Sequence, residues 1–172
     1  MKSLSILIPI YNEEESLQAL FEELKSSFEN NQSIEIIFIN DGSSDMSQKV
    51  IENEIANHST WKLINLYRNY GKSVALQSGI DIASNELIAT LDGDLQDDPK
   101  ELINLVRELN EDDVIVGWKK DRLDPLEKKI ASKIFNFFIK LFSGLKIKDS
   151  NSGIKVLKKE VAKYLNLYGG RH

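Results

Sequence analysis

The chain has 172 residues, of which 41% are hydrophobic and 28% charged, with no cysteine. That size and apolar content suit a single globular domain with a real core, and the lack of cysteine excludes a disulfide framework, a thiolate metal site and a cysteine nucleophile. The net charge of −5 hides an asymmetry: residues 1–118 carry 8 basic and 22 acidic side chains (−14), and residues 119–172 carry 14 basic and 5 acidic (+9).

The predicted elements alternate in type along the chain. Leu4–Pro9, Ile34–Ile39, Trp61–Leu66, Glu86–Leu91 and Asp113–Val116 read as strands, nearly all apolar and therefore buried on both faces. Between them, Glu14–Phe28, Met46–Asn57, Lys72–Ala83 and Lys100–Leu109 carry apolar residues at helical spacing. Repeated strand-helix-strand units predict an α/β fold, a mostly parallel central sheet with helices on both faces. Ligands of such sheets bind beyond the carboxyl ends of the strands, so the residues that follow each strand carry the functional reading.

After the first strand, Tyr11 offers a ring face and a hydroxyl to a base or ribose, while Asn12 and Glu13 either cap the next helix or hydrogen-bond a ligand. The second strand ends in Asn40-Asp41-Gly42-Ser43-Ser44-Asp45. There Gly42 permits a tight turn, Ser44 or Asp45 caps the following helix, and Asp41 suits an acceptor for a base N–H or a ribose hydroxyl. Arg68-Asn69-Tyr70-Gly71-Lys72-Ser73 follows the third strand. It lacks the spacing of a phosphate-binding loop, since position 66 is Leu, yet Gly71 and Lys72 at a helix N-terminus suit contact with a diphosphate.

The most informative stretch is Leu91-Asp92-Gly93-Asp94-Leu95-Gln96-Asp97-Asp98-Pro99. Two carboxylates two residues apart at a strand end face the same side, Gly93 allows close approach, and Pro99 opens the next helix. Hard oxygen ligands without His or Cys suit Mg2+ or Mn2+, which complete their octahedron with water and substrate phosphates. A metal-bridged diphosphate site is the first functional expectation.

Four segments, SILIPIYNEEESL at 5–17, IIFINDGSSD at 36–45, LYRNYGKSVALQSGIDIA at 66–83 and IATLDGDLQDDP at 88–99, together resemble the inverting nucleotide-sugar glycosyltransferases of family 2. The likeness is to the polyprenyl-phosphate sugar transferases related to dolichol-phosphate mannosyltransferase in particular. The resemblance covers nearly the whole chain and implies the Rossmann-like nucleotide-diphospho-sugar transferase fold. It implies a UDP- or GDP-sugar donor, a nucleoside pocket lined by Pro9, Tyr11, Glu13 and Asp41 with Lys72 nearby, and a metal held by Asp92, Asp94 and Gln96. It also divides the single domain into a donor-binding part, 1–118, and an acceptor-side part, 119–172.

In the second part, Val116-Gly117-Trp118-Lys119-Lys120-Asp121-Arg122 resembles the basic loop with which such enzymes grip an acceptor phosphate, and Lys129 and Ser132 fall where further acceptor contacts occur. A solvated surface is the other reading of Lys119 and Lys120. Asp149 resembles an acceptor-side aspartate, although Ser152 and Ile154 depart from the pattern and a turn-forming role fits as well. Leu126–Phe142 interleaves Phe and Ile with Lys, which suits either a peripheral helix at a membrane surface or a core or homo-oligomer contact. Relatives continue beyond Tyr168-Gly169-Gly170-Arg171-His172, so the resemblance implies a chain truncated at its C-terminus, with His172 either near the donor diphosphate or at a disordered end.

The expected function is inverting transfer of a sugar to a polyprenyl phosphate at the inner, cytoplasmic face of the cell membrane. A phosphate monoester is already ionised near neutral pH and attacks without a strong general base once cations orient it. A saccharide or other hydroxyl acceptor is one alternative, and a nucleotide-sugar-binding module without turnover is another. The N-terminus predicts no signal peptide, and no apolar run approaches the ~20 residues that span a bilayer. The acidic balance, with basic residues confined to one end and no recognition motif, argues against nucleic acid.

Overall fold

The computed structural model describes residues 3–28, 31–108, 114–116 and 154–164. Strands and helices alternate as β1 (Leu4–Ile10), α1 (Leu17–Phe28), β2 (Ile34–Asn40), α2 (Ser47–Ile55), β3 (Trp61–Asn65), α3 (Lys72–Ile82), β4 (Leu87–Thr90) and α4 (Pro99–Glu108). They are followed by β5 (Val114–Val116), β6 (Lys155–Lys158) and α5 (Lys159–Tyr164). The strands form one six-stranded sheet in the order β3-β2-β1-β4-β6-β5. From β3 to β4 all neighbours are parallel, whereas β6 runs antiparallel to both β4 and β5. The architecture is therefore the expected α/β fold with a mostly parallel sheet, interrupted by one reversed strand.

The apolar continuity of β1 and β2 has a direct cause in this arrangement, because helices cover both faces of the sheet. One face meets Leu17, Leu20, Phe21 and Leu24 of α1, Ile51 of α2, and Leu102 and Val106 of α4, all buried. The other meets Ala75, Leu76 and Ile80 of α3 and Ala162 of α5. Each fully buried aliphatic or aromatic side chain contributes about 1.5–3 kcal/mol over exposure, so these two layers hold the sheet rigid. Phe21 packs edge-on against Phe38, with ring centroids 5.6 Å apart, and Trp61 leans on both.

At the amino-terminal end of the sheet one buried charge ties three strands together. Glu35 of β2 accepts hydrogen bonds from Ser5 Oγ at 2.6 Å, Ser84 N at 2.9 Å and Ser84 Oγ at 3.0 Å, and pairs with Lys62 of β3. Burial alone pushes its carboxyl up, but the hydrogen bonds from Lys62, Ser5 and Ser84 outweigh that and hold it below the ordinary glutamate range.

Chain order and sheet order together create a switch point. The chain steps outward from β1 through β2 to β3, then crosses back to place β4 on the other side of β1. Adjacent loops therefore diverge above the carboxyl ends of β1 and β4, which opens a crevice there.

Two departures from the sequence pattern have local causes. Helix α1 begins at Leu17 and not Glu14, because Glu13 to Ser16 form a turn in which the N–H groups of Ser16 and Leu17 both bond to the Glu13 carbonyl. Strand β6 and helix α5 escape periodicity altogether. Lys155-Val156-Leu157-Lys158 is too short and too basic to announce a strand, and it becomes one by pairing along the whole of β4.

Candidate functional site

The crevice at the switch point is a cleft of about 290 Å3 lined by Pro9, Ile10, Tyr11, Glu13, Asp41, Asn69, Gly71, Lys72, Asp92, Gly93 and Asp94. Four carboxylates and one ammonium thus converge from the ends of β1, β2 and β4 and from the start of α3. The sequence-predicted residues Pro9, Tyr11, Glu13, Asp41, Lys72, Asp92 and Asp94 all share this cleft. Gln96 does not line it. Gln96 lies with Glu23, Ser26, Ser27 and Asp98 along a neighbouring hollow, and its backbone N–H donates to Asp94 Oδ1 at 3.1 Å.

The acidic turn is seated closely on β1. A Cβ added to Gly93 would lie 2.5 Å from Ile10 Cδ1, so a larger residue between the two aspartates would have to displace the Ile10 side chain. Leu95 follows at φ 61°, a left-handed conformation costly for a γ-branched residue, and Asp94 Oδ1 closes that turn. Asp98 then caps α4, accepting the Lys100 N–H at 2.9 Å, and Pro99 takes the first helical position.

Asp41 is nearly buried, at 4% exposure, and its carboxylate organises the loop before α3. Its Oδ1 accepts the Tyr70 N–H and its Oδ2 accepts the Gly71 N–H, each at 2.8 Å. Next to it, Gly42 adopts φ 67°, and a Cβ there would lie 2.3 Å from the Arg68 carbonyl carbon. The loop that brings Asn69, Gly71 and Lys72 to the cleft can therefore cross only over a glycine.

The loops after β1 and β2 clasp each other. Asn12, at φ 55°, donates its N–H to Ser43 Oγ at 3.0 Å and accepts the Ser44 N–H on Oδ1 at 2.8 Å. Asp45 accepts the N–H groups of Glu14 and Ser47, Ser47 Oγ accepts the Glu13 N–H, and Glu14 returns the contact by accepting the Met46 N–H. Partial burial raises the Asp45 carboxyl, but the hydrogen bonds from Ser47 and Glu14 prevail and hold it below the usual aspartate range. Asn12 and Asp45 thus brace the two loops against each other. The N-cap position of α2 is Met46, without a side-chain cap, so neither Ser44 nor Asp45 is the cap the sequence suggests, and Asp45 holds the Ser47 N–H from one residue outside it.

Lys72 Nζ lies 2.6 Å from Asp92 Oδ1, with both side chains 30% exposed. The Ser16 hydroxyl reaches the Glu13 carboxylate at 2.9 Å and the Gly93 carbonyl at 3.2 Å, which joins the first loop to the acidic turn. Ser16 and the Asn12–Asp45 brace are not separable from ordinary capping residues in the sequence, because the partners that matter, Gly93 for Ser16, Ser43 and Ser44 for Asn12 and Glu14 for Asp45, come from other loops.

The donor set fits a hard divalent cation. Among the described residues no three His, Cys, Asp or Glu side chains converge to hold an ion unaided. Mg2+ or Mn2+ usually takes only one or two carboxylates from a protein, a number that Asp92 and Asp94 could provide, and the remaining positions would go to water and phosphate oxygens.

Lys119, Arg122, Lys129, Ser132 and Asp149, with the Leu126–Phe142 segment and His172, lie outside the described residues. The residues that flank segment 117–153 are placed, however. Val116 and Lys155 are register partners, and Lys155 pairs in turn with Thr90 at the carboxyl end of β4. Among the described residues no helix is long and apolar enough to cross a membrane.

The chain is 36% identical over 174 residues to a dodecaprenyl-phosphate galacturonate synthase of Rhizobium johnstonii, an alignment covering 98% of this chain and 52% of that protein. It is also 36% identical over 166 residues to an undecaprenyl-phosphate 4-deoxy-4-formamido-L-arabinose transferase of Photorhabdus laumondii, covering 94% of this chain and 50% of the relative. The chain therefore spans about half the length of the curated relatives it matches. Among solved structures, its fold is similar to a mannosyltransferase from Pyrobaculum calidifontis in complex with GDP-Man and Mn2+. That match has a TM-score of 0.74 at 15% identity and covers 98% of this chain and 48% of the other. With the model for glycosyl transferase family 2 matching residues 5–165, the sequence and the parallel-sheet architecture agree, and the chain belongs to that family.

Proposed function

We propose that this chain is the donor-binding and catalytic portion of a polyprenyl-phosphate sugar transferase, moving a sugar from a UDP- or GDP-sugar, with inversion, to a polyprenyl phosphate. The observation that carries this reading is the convergence of Asp92, Asp94, Lys72, Asp41, Glu13 and Tyr11 on one cleft at the sheet's switch point. Both relatives named above are polyprenyl-phosphate sugar transferases, which supports the acceptor class.

In this reading Tyr11, Glu13 and Asp41 hold the nucleoside, with Pro9 shaping the floor of its pocket. Asp41 retains unused lone pairs after accepting two backbone N–H groups, so it can accept another from a base or ribose. Asp92 and Asp94 would ligate Mg2+ or Mn2+, with Gln96 joining only by turning out of the neighbouring hollow. When bound, that cation supplies Lewis-acid stabilisation of the leaving diphosphate. The acceptor phosphate oxygen forms a bond to the anomeric carbon from the face opposite the nucleotide while the carbon–oxygen bond to the diphosphate breaks, which inverts the centre. No general base is needed, since the attacking oxygen already carries the charge.

Lys119 and Arg122 are proposed to orient that anion, with Lys129, Ser132 and Asp149 as further acceptor contacts. Val116, which precedes segment 117–153, pairs with Lys155, and Lys155 pairs with Thr90, two residues from Asp92, which supports an acceptor role for what the segment carries. The Leu126–Phe142 segment is proposed as a peripheral contact with the cytoplasmic face of the membrane.

The test is incubation of the chain with radiolabelled UDP- and GDP-sugars, Mn2+, and undecaprenyl phosphate in detergent or a panel of soluble saccharides. Label in the lipid-phosphate fraction is expected. Label in saccharides alone would overturn the acceptor assignment, and nucleotide binding without any product would leave a binding module.

A further inference from the structure

Lys72 occupies an electrostatically unusual position. It opens α3, where the helix dipole presents partial positive charge and a cation is disfavoured, and the first turn holds no acidic residue while Gly71 supplies no capping side chain. What offsets this is outside the helix: its Nζ sits 2.6 Å from Asp92 Oδ1, half-sheltered in the cleft. Asp92 is also one of the two carboxylates placed to hold the donor's cation. One carboxylate oxygen cannot be fully shared by an ammonium and a divalent ion, because the two cations repel each other strongly at such separations.

The charges around the cleft indicate where the ammonium goes next. Among the described residues, Glu13, Asp41, Asp92 and Asp94 make the lining acidic, and Lys72 is its one basic side chain. A bare diphosphate entering this cleft would be repelled. A diphosphate arriving with a divalent cation would be attracted to Asp92 and Asp94, and its oxygens would lie near the N-terminus of α3, where backbone N–H groups and a freed ammonium both favour an anion.

Building on the donor reading above, we propose that Lys72 is an exchangeable counterion. It neutralises Asp92 in the donor-free protein, yields that carboxylate to the cation, and transfers its own charge to the donor's diphosphate. Lys72 therefore opposes binding of the metal alone and favours binding of the metal–nucleotide pair, so that the cleft fills in one concerted step and a free ion is held weakly.

The test compares wild type with Lys72→Met, which keeps side-chain length without the charge, and Lys72→Arg, which keeps the charge. Mn2+ alone is titrated by electron paramagnetic resonance, and UDP and GDP are titrated by calorimetry at saturating Mn2+. Lys72→Met is expected to bind Mn2+ alone about tenfold more tightly and the nucleotide about tenfold more weakly, as expected for removing one charge from a partly screened site. Lys72→Arg should stay within about twofold of wild type for the free ion. A merely structural lysine would weaken both ligands in the Met variant. Unchanged or weaker Mn2+ binding in a folded Lys72→Met protein overturns the exchange while leaving the donor reading intact. Absence of Mn2+-dependent nucleotide binding in wild type would remove both.

Discussion

The Ser16 hydroxyl stands 3.2 Å from the carbonyl of Gly93, in the acidic turn after β4, and 2.9 Å from the Glu13 carboxylate. A hydroxyl carries one proton and two acceptor lone pairs, so Ser16 can donate to only one of these oxygens at a time. Ser16→Ala should leave the fold intact, lower nucleotide affinity about fivefold through loss of roughly 1 kcal/mol of hydrogen bonding, and be rescued in part by Ser16→Thr. Calorimetric titration of UDP and GDP with Mn2+ measures this, and an affinity unchanged from wild type would show that the link positions nothing.

Asp94→Ala should abolish metal-dependent stabilisation by the donor. At a ligand concentration one hundred times Kd, the gain is about 2.7 kcal/mol, or roughly 5–10 °C in Tm for a domain of this size. Thermal melts with a UDP- or GDP-sugar, with and without Mn2+, read it directly. A variant that melts as much higher with donor and metal as wild type does would remove Asp94 from the cation site.

Lys119→Ala and Arg122→Ala should weaken use of a lipid phosphate acceptor while leaving donor affinity nearly unchanged. Loss of a charge-assisted contact to phosphate corresponds to about 1.5–3 kcal/mol, or a drop of roughly ten- to a hundredfold in kcat/KM for the acceptor. Equal losses for donor binding and acceptor use would point to a folding role for these side chains.

Acid should unfold the protein through Glu35. Its carboxyl is lower in the folded state than in the unfolded chain, so its contribution to stability is complete above the ordinary glutamate range and is lost as pH falls through the lowered folded value. Lys62→Met removes a partner that lowers the carboxyl, and the acid midpoint should move to higher pH. Chemical denaturation across pH 3–7 checks the shift, and an unmoved midpoint would assign acid unfolding to other groups.

Much of this was legible in the chain because two signals coincide. The nearly all-apolar runs Leu4–Pro9 and Ile34–Ile39 read as strands buried on both faces, and Asp92-Gly93-Asp94 follows a similar run directly. What could not be read depends on pairing across distance. Lys155–Lys158 is a strand only because β4 offers it an edge, and the tie from Asp45 to the Glu14 N–H spans loops 31 residues apart in sequence. The carboxylate of Asp41 illustrates the same limit: its residue type and place marked it as a ligand acceptor, but only the fold shows that it also holds Tyr70 and Gly71 in place.

The register match of Val116 with Lys155 beside Thr90 has an evolutionary corollary. A stretch whose flanking residues pair with each other in adjacent strands can be exchanged for another of different length or chemistry without disturbing the strands that carry the nucleotide half. Grafting residues 117–153 from a relative onto this scaffold should therefore transplant preference for the molecule that receives the sugar, while the choice of sugar nucleotide stays with the host.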